Sequence, residues 1–255
     1  MFVRCTELTT LDLSHFDTSK VTDLCGMFYG CSGMTTLDLS HFDTSSVTDM
    51  EELFYGCSGL TTLDLSHLNT SKVTHMERMF EGCSGLTKLD LSHFDTSNVP
   101  NMAEMFYGCS GLITLDLSYF DTSNVTKMSE MFRDCSNLTT IYCSDKWTTD
   151  NVKSSSNMFK GCIKLVGGKG TVYDVNHVNA TYAHVDEGTT NPGYLTLKGD
   201  TNGDNVIDAQ DASLVLQYVA KKTDNVSNAD VNGDGVVDAQ DASIILQVVA
   251  KKITW

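Results

Sequence analysis

Apolar and polar positions along the first two thirds of the chain recur every 26 residues, with Leu8, Met34, Leu60, Leu86, Leu112 and Leu138 opening successive copies. The shared pattern is Leu-Thr-Thr-Leu-Asp-Leu-Ser-His-Phe-Asp-Thr-Ser-x-Val-Thr-x-Met-x-x-Met-Phe-x-Gly-Cys-Ser-Gly. Alternation within Thr10-Leu11-Asp12-Leu13-Ser14 turns Leu11 and Leu13 inward and the polar residues outward, which predicts a short strand in each copy. Val47, Met50, Leu53 and Phe54 follow helical spacing and predict a helical or irregular opposite wall. One such coil cannot bury its own apolar side, so neighbouring coils must stack over a continuous core.

A period of roughly 20–29 residues carrying Leu-x-x-Leu-x-Leu marks a leucine-rich repeat. The expected fold is therefore a leucine-rich-repeat solenoid over 1–165, a parallel β ladder with a helical or irregular wall. The wording Leu-Asp-Leu-Ser-x-Phe-Asp-Thr-Ser-x-Val-Thr with Met-Phe-x-Gly-Cys-Ser closely resembles BspA-type bacterial surface repeats. Met1 to Cys5 aligns with Met27 to Cys31, so the chain opens inside a copy and reads as a piece of a longer protein. The lack of a signal sequence then says nothing about secretion. The sixth copy decays: Tyr142 and Cys143 replace Asp and Leu, a residue is inserted near Lys146, and Ser155 replaces a core Met. Residues 166–198 leave the period, as a terminal cap and short connection would.

Residues 199–255 form a third segment built from a duplicated loop and helix. Asp200, Asn202, Asp204, Val206, Asp208 and Asp211 return 30 residues later as Asp230, Asn232, Asp234, Val236, Asp238 and Asp241. They occupy positions 1, 3, 5, 7, 9 and 12 of a calcium loop, whose hard cation takes oxygen ligands from side chains, a position-7 carbonyl and a position-9 group acting through water. Position 12 is Asp rather than Glu, and Asn205 stands at the position-6 glycine, which the left-handed tolerance of Asn allows. Helices are predicted over 212–222 and 242–252. Pro192 and Gly193 forbid an incoming helix ahead of the first loop.

This tandem of loop and exiting helix closely resembles a type I dockerin, the module that plugs cellulosomal proteins into the cohesin domains of a scaffoldin. The resemblance implies a small all-α module with two EF-hand-like motifs and two Ca²⁺ ions. It also implies cohesin contacts at Ala209, Gln210, Leu214 and Lys221, with Ala239, Gln240, Ile244 and Lys251 as their counterparts. The helical wheel adds Gln217, Tyr218, Gln247 and Val248 to that face, where large apolar groups suggest a contact patch. A second stripe, Ala212, Val215, Leu216 and Val219 with Ala242, Ile245, Leu246 and Val249, is expected to pack the helices together. The near-superimposable faces make a binding mode rotated by 180° geometrically possible, with Tyr218 against Val248 as the main asymmetry. Trp255 is expected to stack on Tyr194.

The net charge is −16 and the sequence pI about 4.6, with no basic stripe for nucleic acid. No apolar run approaches the ~20 residues of a membrane span. Of the nine cysteines, Cys5, Cys31, Cys57, Cys83, Cys109, Cys135 and Cys162 share one repeat position and read as buried thiols. Cys25 is the exposed one. Asp12, Asp38, Asp64, Asp90 and Asp116 form a column whose crowding would raise pKa values or attract cations, with His15, His41, His67 and His93 beside it. Asp17 and its equivalents read as turn residues.

Catalysis needs a unique convergent set in a pocket, whereas every His, Asp and Ser of note recurs once per coil, so an enzyme is not expected. The expected role is non-catalytic: a secreted, cell-surface-associated cellulosomal component whose dockerin anchors a recognition or adhesion module to a scaffoldin cohesin. The repeat face would meet an unidentified protein or cell-wall partner. The alternatives are a spacer or accessory fragment of a larger cellulosomal enzyme, or a carbohydrate-binding unit.

Overall fold

The computed structural model describes residues 1–224 and 226–255. The repeats stack coil on coil around one core. Phe2, Phe28, Phe54, Phe80, Phe106, Phe132 and Phe159 form a column of nearly parallel rings at 5.5–5.9 Å, closed edge-on by Tyr194 of the cap. Beside it run Met, Leu and Val columns, buried from the second repeat through the fifth and only partly so at Leu8, Leu11 and Val21. Burial of this kind is worth roughly 1.5–3 kcal/mol per large side chain, which makes the core the main source of stability.

The wall opposite the Leu-x-Leu stretch is made of tandem β-turns, not helix. In the second coil Met27, Tyr29 and Cys31 donate their N–H to the carbonyls of Leu24, Gly26 and Phe28. The alternate N–H groups of Leu24, Gly26, Phe28 and Gly30 donate instead to Asp49, Glu51, Leu53 and Tyr55 of the next coil. Left-handed backbone at Gly26 (φ +57°) and Gly30 (φ +70°) breaks any helix and places φ > 0 at the third turn position. Apolar spacing of three and four residues is thus shared by successive turns and by a helix, and the left-handed residues, glycine here and Glu52, Arg78, Glu104 or Glu130 in later coils, decide between them.

Strands are also fewer than the repeat predicts. Among the described residues the sheet has three parallel members, β1 (Thr114–Asp116), β2 (Thr140–Cys143) and β3 (Leu195–Leu197), in the order β1-β2-β3. In the first five coils the outward Asp turns the chain after this stretch, its Oδ1 accepting the N–H of the Ser two residues on, as in Asp12–Ser14, Asp38–Ser40, Asp64–Ser66, Asp90–Ser92 and, at the end of β1, Asp116–Ser118. In the middle coils close stacking leaves no room for a side chain at the glycine after Cys-Ser. A Cβ on Gly85 would lie 2.6 Å from the carbonyl oxygens of Ser58 and Leu60.

Two polar ladders stitch the coils. The Thr18, Thr44, Thr70 and Thr96 hydroxyls each donate to the backbone carbonyl of the next coil's Asp43, Asn69, Asp95 or Asp121, and accept that residue's N–H. Inside, the thiols of Cys31, Cys57, Cys83, Cys109, Cys135 and Cys162 donate to the carbonyls of Phe2, Phe28, Phe54, Phe80, Phe106 and Phe132. All nine cysteines are free thiols; those six and Cys143 are buried, while Cys25 is exposed.

Cap residues 166–194 wrap the last coil around the buried Asp186. Its carboxylate accepts the N–H groups of Lys169, Thr171 and Gly188 and the Thr171 hydroxyl. The chain then re-enters the sheet as β3 and passes directly into the terminal module. Two helices pack there, α1 (Ala209–Val219) and α2 (Ala239–Val249).

Candidate calcium loops and docking helices

Each loop folds around its own carboxylates. Asp200, only 4% exposed, accepts the N–H of Gly203 and Asp204 on Oδ1 and that of Asn205 on Oδ2. Asp211 is fully buried; its Oδ1 accepts Thr201 and Asn202, and its Oδ2 accepts Asp208. Asp204 Oδ1 accepts the N–H of Val206. The second loop repeats this with Asp230 on Gly233 and Gly235, Asp234 on Val236, and buried Asp241 on Val231, Asn232 and Asp238. Position 6 is left-handed in both copies, φ +66° at Asn205 and +87° at Gly235.

The donor set suits a hard divalent cation. Burial pushes the Asp200 carboxyl above its ordinary range, and the Asp211 charge adds to this. Two crowded, buried anions in an all-oxygen loop call for a compensating cation. Among the described residues, Asp23, Cys25 and Asp49 are the one Asp/Glu/His/Cys trio with ligand atoms within 4.8 Å of one another.

The helices begin three residues before the apolar pattern suggests, because position 9 doubles as N-cap. Asp208 accepts the Gln210 N–H while Asp211 reaches back to the Asp208 N–H, and Asp238 with Asp241 does the same. They end at a Schellman motif: Lys221 N–H bonds Tyr218 O, and Lys222 N–H bonds Gln217 O. The residue after the C-cap is left-handed Lys221 (φ +55°) and Lys251 (φ +54°), where glycine would be relaxed.

Packing corrects the helical-wheel assignment. Ala212, Val215, Ala242 and Ile245 form the module's core, with Ala229, Val231 and Trp255. Ile244 and Val248 are half-buried against that core rather than presented outward. Leu216 (45% exposed), Val219, Leu246 and Val249, expected between the helices, instead face solvent with Tyr218. Each helix thus buries one small and one larger residue, Ala212 with Val215 and Ala242 with Ile245, and leaves the rest of its apolar stripe open. Ala209, Gln210, Gln217 and Lys221 are exposed, as are Ala239, Gln240 and Lys251, whereas Leu214 and Gln247 are intermediate. A shallow groove of about 420 Å³ runs along Asn202, Ala209, Gln210, Ser213, Leu214 and Gln217. Trp255 does not meet Tyr194, which is fully buried in the cap against Phe159, Tyr173 and Tyr182.

The family described as Mycoplasma protein of unknown function, DUF285, matches residues 1–110 and 85–191. The dockerin type I domain matches residues 198–249. The chain belongs to that BspA-like repeat family and carries a C-terminal dockerin. Among solved structures, the T. pallidum leucine rich repeat protein is similar at 24% identity and TM-score 0.43, over 62% of this chain and 66% of that one. The chain thus spans just under two thirds of that protein. No curated protein matches. Type I dockerins are calcium-binding modules whose partners are cohesins, and no helix among the described residues is long and apolar enough to cross a membrane.

On the BspA-like repeats, the outward Asp column behaves otherwise than crowding alone suggests. Hydrogen bonds from Ser14, Ser40 and Ser66 hold the Asp12, Asp38 and Asp64 carboxyls below their usual range, with smaller help from the imidazoles of their own and the next coil. Both Asp columns, not only the one at Asp17, serve as turn acceptors. Sequence reasoning missed an aromatic pair on the turn wall, Tyr29 and Tyr55, whose parallel rings stack at 4.3 Å. The stack covers one face of each ring, and the Arg4 guanidinium lies 5.8 Å from the Tyr29 centroid. Arg78 bridges Glu52 and Glu104 of adjoining coils there.

Proposed function

We propose that the chain is a non-catalytic, extracellular cellulosomal component, in which the dockerin (199–255) anchors a leucine-rich-repeat solenoid (1–165, capped by 166–198) to a scaffoldin cohesin. The carrying observation is the duplicated loop-and-helix unit, with Asp211 and Asp241 buried at its centre and an apolar ridge left uncovered beside it. Asp200, Asn202, Asp204, the Val206 carbonyl, Asp208 and Asp211 would hold one Ca²⁺, and Asp230, Asn232, Asp234, the Val236 carbonyl, Asp238 and Asp241 a second. The segment 199–255 carries nine Asp against four Lys, so two ions would bring it near neutrality. Cohesin contact is assigned to Ala209, Gln210, Gln217, Tyr218, Lys221, Ala239, Gln240 and Lys251, joined by Leu216, Val219, Leu246 and Val249. Both copies set Lys at a backbone position that favours glycine by roughly 1 kcal/mol, which supports a surface role for the two charges. The repeat face, with its Asp and His columns, supports recognition of a protein or cell-wall partner.

Calorimetry on the full chain tests this: two Ca²⁺ per chain are expected, and zero would end the reading. Cohesin capture from a panel of scaffoldin domains should be lost on chelation. Leu216→Asp with Leu246→Asp should weaken capture at least tenfold while leaving ion stoichiometry at two.

A further inference from the structure

We propose that the dockerin is clamped against the β1-β2-β3 sheet of the repeats through Lys198, and that the clamp holds only while the first loop is ordered around calcium. This rests on the calcium reading above. Lys198 lies between β3 and Asp200, with a side chain only 8% exposed. Its ammonium bonds Asp116 Oδ2 of β1 at 2.6 Å. It also sits between two rings, 5.3 Å from the centroid of Tyr119 on the repeats and 5.0 Å from that of Trp255 on the dockerin. A buried lysine persists only where such partners compensate its lost hydration.

The contacts around this lysine fall where the repeat pattern breaks. Tyr119 takes the place held by His15, His41, His67 and His93 in the other coils. Lys146, at the inserted residue of the sixth copy, donates to the Trp255 carbonyl at 3.0 Å. Both side chains serve the junction. Across the cap side, Asn205 of the loop donates to the Asp186 carbonyl at 3.3 Å.

The dependence on the loop follows from where these groups are anchored. Trp255 is part of the dockerin core with Val215, Ala242 and Ile245, and its ring lies over Gly199, leaving no space for a side chain there. Lys198 and Gly199 immediately precede the first ligand, and Asn205 is loop position 6. Metal binding and folding are coupled in loops of this kind, so an empty first loop releases the three anchors together.

Trp255 is a natural probe, and subtracting the Trp147 signal of a Trp255→Phe chain isolates it. With calcium, its emission should be blue-shifted and shielded from acrylamide; chelation should raise quenching severalfold. The discriminating step is Lys198→Met at saturating calcium, with Tyr119→Ala as a second variant on the repeat side. Both should keep two ions yet expose Trp255 and enlarge the radius of gyration by scattering. By reciprocity, calcium affinity at one site should fall about 3–10-fold. Trp255 remaining shielded in both variants, or after chelation, overturns the clamp. Zero bound ions in the parent chain overturns the calcium reading instead, a separate measurement.

Discussion

Thr96 shows how one hydroxyl holds two coils. It donates to Asp121 O and accepts Asp121 N–H, so Thr96→Val leaves two backbone groups unpaired without altering shape. Chemical denaturation should show a loss of about 1–3 kcal/mol. Glu81 is a different case: burial, with the Glu104 charge second, pushes its carboxyl up to about 7. The folded chain then binds this proton more readily than the unfolded one. Stability contributed here is therefore present below the ordinary carboxylate range and lost as pH rises through about 7. Glu81→Gln should raise the melting temperature at pH 8 and change it little at pH 4. Cys25, exposed yet pushed up to about 11 by partial burial and by Asp49, Glu51, Asp23 and Glu52, should stay protonated and react slowly with alkylating reagents at pH 7.

At the scale of elements, the duplicated loop-and-helix unit was legible because its Asp and Asn residues recur at fixed offsets, whereas the Asp208 and Asp238 caps, which start each helix three residues early, were not. The wall and the helix faces were not. Val47, Met50, Leu53 and Phe54 satisfy helical spacing, but left-handed Glu52 (φ +55°) and Gly56 (φ +67°) convert the run into stacked turns. Periodicity counts apolar positions and is blind to a non-glycine residue in that conformation. On α1 and α2 the apolar arc spans more residues than one partner helix can cover. Burial of Val215 and exposure of Leu216 is a choice of rotation that only the packed pair fixes. The strained helix ends give a test: Lys221→Gly with Lys251→Gly should stabilise the dockerin by roughly 1 kcal/mol per site and weaken cohesin binding, read by melting and titration.

For the whole molecule, the repeats share one long apolar core, while the dockerin has a small core of its own built beside two acidic loops. Replacing Asp200 and Asp230 together by Ala should abolish calcium binding and unfold residues 199–255, while the stacked coils keep their melting transition; calorimetric scans would show the two events separately. The passage from β3 to Asp200 consists of Lys198 and Gly199 alone. Its consequence, a junction built on Lys198 and Trp255, was hidden because those residues are far apart in sequence.

The buried thiols give the stack a fluorescence-free clock of its own unravelling. Each inner coil carries one sulfhydryl tied to the preceding phenylalanine carbonyl, and a modifying reagent can reach it only after that coil has peeled away. Mass-resolved labelling over time would show whether modification marches inward from one extremity or arrives everywhere at once, distinguishing unzipping from global melting with no engineered probe.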